Sequence, residues 1–169
     1  GTSIVGKGFG PIMFTFFSML AILGLMQIVK DWTILYAFSP HYAFRLLVQN
    51  PGGFWILGAV FLCTTGAEAL YSDLGHCGRE NIRISWAYVK VCLILNYFGQ
   101  GAYLIHHKGE MLNGQNPFFL IMPQGFLIFG IIIATAAAII ASQALITGSF
   151  TLISEAMRLN LFPRVTIKY

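Results

Sequence analysis

"FWILGAVFLCTTGAEALYSDLGHCGR" occupies residues 54–79. Its first ten residues, Phe54 to Cys63, carry no charge; Glu68 then appears, with Asp73 five residues later. An acidic side chain at the centre of a membrane helix costs about 2.5–3.5 kcal/mol on insertion scales. Starting the span later would move Glu68 to the interface. The uncharged run before it and Ala69-Leu70-Tyr71 after it leave little room for that shift. Glu68 therefore falls about two-thirds of the way through a span. Asp73, close to Gly75, His76 and Arg79, reads instead as an interfacial or helix-end charge.

On a helix, Glu68 shares a stripe with Thr64 and Thr65 one turn before it and with Tyr71 and Ser72 one turn after it. Gly66 sits beside them. A glycine after two threonines suits a break in a span, because threonine hydroxyls can satisfy freed backbone groups. Unwound carbonyls at the bilayer middle coordinate cations in many secondary transporters. Carbonyl, hydroxyl and carboxylate oxygens are also the ligands a hard alkali cation takes. The competing reading is a buried structural glutamate. The polar stripe favours an ion or proton site at Glu68, Thr64, Thr65, Gly66 and Tyr71, with Ser72 in support.

Composition agrees with a membrane protein. The 169 residues are 57% hydrophobic and 9% charged, against about 25% charged in a soluble domain. Ten basic residues are scattered with no basic stripe, so nucleic acid is not an expected partner. Cys63, Cys77 and Cys92 show no C-x-x-C spacing and no histidine at zinc-finger distance, which argues against metal or redox chemistry. The chain begins at Gly1 with no charged n-region before its first apolar run. The expectation is a piece of a longer protein without a signal peptide.

Four transmembrane helices are expected, at about 12–29, 54–74, 84–105 and 118–153. The fourth run is too long for one perpendicular crossing and reads as a tilted helix with an interfacial beginning around Met122–Gly125. Between the first two lies "DWTILYAFSPHYAFRLLVQNP", residues 31–51, where Pro40 and Pro51 bracket an amphipathic stretch. An interfacial segment over about 32–50 follows. His106 and His107 read as interfacial. Lys7, Arg79, Arg83, Arg158, Arg164 and Lys168 fall on one side, and Lys30, Arg45 and Lys108 on the other. The excess places both termini and the 75–83 loop in the cytoplasm.

The third span has its own polar patch, Asn96-Tyr97 with Gln100 one turn on, set among Gly99 and Gly101. Interhelical hydrogen bonding and close glycine packing explain it more simply than substrate contact. In the fourth, Ala134, Ala138 and Ser142 recur every four residues, and Thr135, Ser142 and Ser149 every seven. That pattern reads as a packing face.

"VGKGFGPIMF" (5–14), "TGAEALYSDLGH" (65–76), "LNYFGQGAYL" (95–104), "NPFF" (116–119) and "IASQALITGSFTLISEA" (140–156) resemble, in order and spacing, the Kup/HAK/KT potassium-uptake family. The resemblance covers nearly the whole chain. It implies potassium import by proton symport within a LeuT-like core of two inverted five-helix repeats, the APC superfamily fold. This all-α piece would be spans five to eight, with Glu68 in broken span six. Glu68 matches the family's transport glutamate, and Thr65, Gly66 and Tyr71 lie in the same motif. Cys77 and Gln124-Gly125 depart from the family pattern, outside the central site.

No cofactor and no enzymatic activity are expected, only transported potassium and protons. The partners are the cell membrane's lipid bilayer and the remaining spans of the same transporter, with a homodimer left open. Two alternatives remain. One is a broken-helix carrier of another solute such as an amino acid, against which a carboxylate near the break argues. The other is an intramembrane enzyme pairing Glu68 with His76, which lies eight residues on, at the membrane edge.

Overall fold

Uncharged runs of this length can satisfy their backbone only within themselves, and the chain does so with helices. The computed structural model describes residues 2–64, 79–112, 114–161 and 163. Helix α1 spans Thr2–Ile28, α2 Pro40–Gln49, α3 Gly53–Thr64, α4 Arg79–His106, α5 Pro117–Leu120 and α6 Leu127–Arg158. Short 3-10 helices cover Trp32–Phe38 and Gln124–Phe126. Among the described residues, two stretches, Gly8–Ile28 and Gln124–Arg158, are long and apolar enough to cross a membrane, and Gly53–Leu62 is a shorter apolar helix.

The helices differ from the sequence expectation at their ends. α1 begins ten residues earlier than residue 12 and carries Pro11 within it. Proline lacks the donor for one backbone bond, and the Thr15 hydroxyl donates to the Pro11 carbonyl at 2.8 Å one turn on. α4 starts at Arg79, where Glu80 in the first turn and His106 in the last complement the helix dipole. The fourth apolar run is interrupted. Asn116 caps a single turn from Pro117, accepting from the Phe118 amide at 3.0 Å. Pro123 then ends that turn, because it has no N–H to give and disfavours helical geometry at Met122. The continuous helix begins at Leu127 and runs past residue 153 to Arg158.

α1 and α4 pack side by side and run parallel. Ser18 meets Tyr88, Gly24 meets Leu95 and Asn96, and Ile28 shares a buried cluster with Ala102. Their closest approach is backbone on backbone. A Cβ on Gly24 would run into the Leu95 carbonyl and lie 2.9 Å from the Asn96 nitrogen. One on Gly99 would run into Gly24 Cα and lie 2.6 Å from the Gly24 oxygen. In a bilayer such contact is the main source of helix affinity, since apolar burial is worth nothing between lipid and leucine.

The chain turns back after α4. The Gln27 amide donates to the Ile121 carbonyl at 3.3 Å, and Met19, Leu23, Ile121 and Met122 form a buried cluster covered by Phe126, Leu127 and Ile133. α6 leaves from that end and returns along α1. Parallel α1 and α4 impose a condition on the chain between them. From the level of Ala102 to Arg79 is about 35 Å of helix, and residues 32–78 must carry the chain back over that height. α3, with 12 residues, is about 18 Å long.

Within this chain α6 packs through Gly130, Ala137 and Ile140, while Ala138 and Ser142 of the expected stripe are exposed. A Cβ on Gly130 would lie 2.6 Å from the Met122 sulfur.

Candidate functional site

Of the residues singled out in the sequence, Thr64 is the last of α3. Thr65, Gly66, Glu68, Tyr71 and Ser72 lie outside the described residues, and so do the expected break and the rest of the expected oxygen stripe.

The supporting pair on α4 is described. Asn96 is buried at 5% exposure and Gln100, one turn on, is half-buried. The face they share with Cys92 and Gly99 presses on α1 around Gly24. The glycine packing read from the sequence is present, with Gly99 on Gly24 and Gly101 over Ile34. Among the described residues Asn96 Oδ1 is buried without a hydrogen-bond partner, because the α1 backbone opposite offers no free donor. An alkali cation needs a shell of oxygens, and Asn96 supplies one.

Two polar links escaped the sequence reading. The Tyr88 hydroxyl and Ser18 Oγ lie 2.7 Å apart, and Tyr88 also donates to the Phe14 carbonyl at 3.2 Å while stacking on the Phe14 ring. Gln27 is the second. It stands in register with Leu20, Leu23 and Gly24 on the buried face of α1, a spacing that could have revealed it.

The C-terminal ends of α1 and α4 share a cleft of about 420 Å³ lined by Gln27, Lys30, Asp31, Tyr103, His106 and His107. Asp31 caps the following 3-10 helix. Its Oδ1 accepts from the Thr33 amide at 2.9 Å and from the Thr33 hydroxyl. Those bonds, the hydroxyl first, hold the Asp31 carboxyl below its ordinary value, with His106 adding a smaller attraction. His107 stacks on Tyr103, and its Nδ1 lies 2.9 Å from the Tyr103 carbonyl. Among the described residues, no three His, Cys, Asp or Glu side chains are placed to hold a metal ion.

The Asp31 cap carries a pH expectation. A carboxyl lowered in the folded state stabilises above its unfolded value of 3.8 and loses that contribution as pH falls through the folded value. The Thr33 amide is expected to exchange its hydrogen faster only in strong acid. In Asp31→Ala it exchanges fast throughout the neutral range. Hydrogen exchange with pH-corrected intrinsic rates reads both.

Over residues 1–169 the chain matches the family described as the K+ potassium transporter integral membrane domain. The chain belongs to this family. Its place in the membrane follows from that membership. The chain is similar to the probable potassium transport system protein Kup of Cytophaga hutchinsonii, 65% identical over all of this chain and 26% of the relative. The Kup protein of Flavobacterium psychrophilum is 63% identical over all of this chain and 27% of its own length. Probable Kup 1 of Lactococcus lactis subsp. lactis is 59% identical, again over the whole chain and 26% of the relative. This potassium transporter domain chain thus spans about a quarter of the length of those proteins. No solved structure matches it.

Proposed function

We propose that the chain is part of a secondary transporter that imports potassium by proton symport, with Glu68 in a broken helix as the group coupling the two ions. What carries this reading is the family match along the entire chain, with relatives named as potassium transport proteins. In this reading the chain is spans five to eight of a LeuT-like core, and residues 32–50 lie in the interface. Potassium takes its oxygens from Thr64, Thr65, Gly66, Glu68 and Tyr71, with Ser72, Asn96 and Gln100 behind them. The parallel course of α1 and α4 supports the span count, since a chain that rises twice must descend between. α6 then descends again, which leaves both ends on one side.

The deciding experiment is rubidium or potassium uptake by the full-length protein in a potassium-uptake-deficient cell, with amino acids as competitors. Potassium alone should compete. Inhibition by an amino acid, with no potassium uptake, would sink the assignment.

Orientation is tested separately. With both ends cytoplasmic, a cysteine replacing Asn113 is expected to react with an impermeant thiol reagent from outside. One replacing Asn81, in the first turn of α4, should react only after permeabilisation. The reverse pattern turns the topology over.

A further inference from the structure

The segment after α1 does not continue outward. Ile34 is buried with Ile28 and Ala102, and Phe38 packs its ring on Phe98 at 4.9 Å. Phe98 lies one turn before Ala102, so the 3-10 helix descends about 6 Å along α4 below the level where α1 ends. Ser39 and Pro40 then start α2 at that depth. Amphipathic helices on bilayers bury their apolar face about 5–10 Å into the headgroup–acyl boundary. With the end of α1 set at that boundary, α2 begins within this range.

Its two faces differ in chemistry. His41, Arg45 and Gln49 recur every four residues on one stripe, where the Arg45 Nε donates to Gln49 Oε1 at 3.2 Å. Ala43, Phe44 and Leu47 lie on the other side of the helix from Arg45 and Gln49, and Val48, seven residues from His41, borders the polar stripe. Leu47 rests against Gly53 at the start of α3, while Phe44 is 69% exposed. Trp32 and Tyr36 stand exposed on the 3-10 helix, the aromatic types that settle at a membrane interface. No carboxylate occurs between Trp32 and Gln49. The segment's fixed charge is therefore positive, complementary to phosphate.

We infer that Trp32–Gln49 is a phospholipid-binding surface on the side where α1 ends. Phe44 inserts among acyl chains, and Arg45 meets the headgroup phosphate with a preference for anionic lipid. This rests on the reading of α1 and α4 as membrane spans, and it adds the ligand class and the residues that hold it. A guanidinium near a charged bilayer surface is worth about a fivefold preference for the anionic lipid.

The test uses the full-length transporter in vesicles of phosphatidylcholine with and without phosphatidylglycerol. A bimane fluorophore is attached, one site at a time, at Phe44→Cys, Gln49→Cys and Ile22→Cys. Brominated lipid is expected to quench the label at 44, and aqueous iodide that at 49. Brominated phosphatidylglycerol should outdo brominated phosphatidylcholine at 44, and Arg45→Gln should remove about fivefold of that preference. Iodide quenching at 44 would overturn the inference. Protection of that site from either quencher would place protein there instead, with the same consequence. An unchanged lipid ratio in Arg45→Gln overturns the headgroup assignment. Ile22, six residues inside the end of α1, distinguishes the two readings: iodide quenching there defeats the span assignment itself, whatever happens on α2.

Discussion

Gly24→Ala and Gly99→Ala, each alone, are expected to lower the stability of the full-length transporter by about 3 kcal/mol, the top of the usual overpacking range. The reason is what the new methyl would meet. On Gly24 it meets the Leu95 carbonyl, and on Gly99 the Gly24 backbone. A flexible side chain can swing aside, but a helix backbone moves only as a whole. Separating α1 from α4 to admit one methyl would also strain the Ser18–Tyr88 bond and the Ile28–Ala102 contact on either side. Gly8 and Gly58 have nothing within 4 Å of a Cβ. Alanine there gains helix propensity, by up to about 1 kcal/mol. Thermal unfolding in detergent, at matched expression, compares the four variants. Equal melting temperatures would mean that the two backbones do not touch.

That crossing marks where the sequence stops being legible. Glycines at 24 and 99 are visible in the sequence, but nothing local pairs residues so far apart. Their partnership follows from the parallel course of α1 and α4. The helices themselves were legible wherever charge was absent, as in the run from Ile12 to Val29. The first ten residues of α1 were not, because Gly6, Gly8, Gly10 and Pro11 are poor helix formers that the longer helix carries along. The interruption at Pro123 carried its signal openly: a proline amid apolar residues after a capped Asn116-Pro117. Hydropathy alone joined the two sides. Within this chain α6 packs through another face than the expected stripe: small residues recur on more than one stripe of that helix, and Gly130 lies against Met122. At the candidate site the expected oxygen-bearing stripe lies beyond Thr64 outside the described residues, while Asn96 was expected to be hydrogen-bonded and its Oδ1 has no partner.

Glu68→Gln is expected to abolish proton-driven potassium accumulation while leaving the protein folded. The amide matches the carboxyl in shape and removes only its titration. A coupled carrier needs a group that takes a proton in one state and gives it up in another. A proton and a bound cation compete for the same carboxylate oxygens, so potassium loading and proton release favour each other, as linkage requires. With glutamine, potassium still meets an oxygen, but no proton travels with it. The uphill step then has no drive, and slow downhill exchange is the most that can remain. Full-length protein in vesicles, with a pH gradient imposed and the voltage held at zero, separates the two. The parent should concentrate potassium until the gradient decays, and the glutamine variant should stop at equal concentrations. Asn96→Leu supplies the comparison, because its side chain offers potassium one oxygen and no titrating group. It should weaken apparent potassium affinity yet retain accumulation. Undiminished accumulation by Glu68→Gln would leave that carboxylate structural, and the proton would have to be carried elsewhere in the protein.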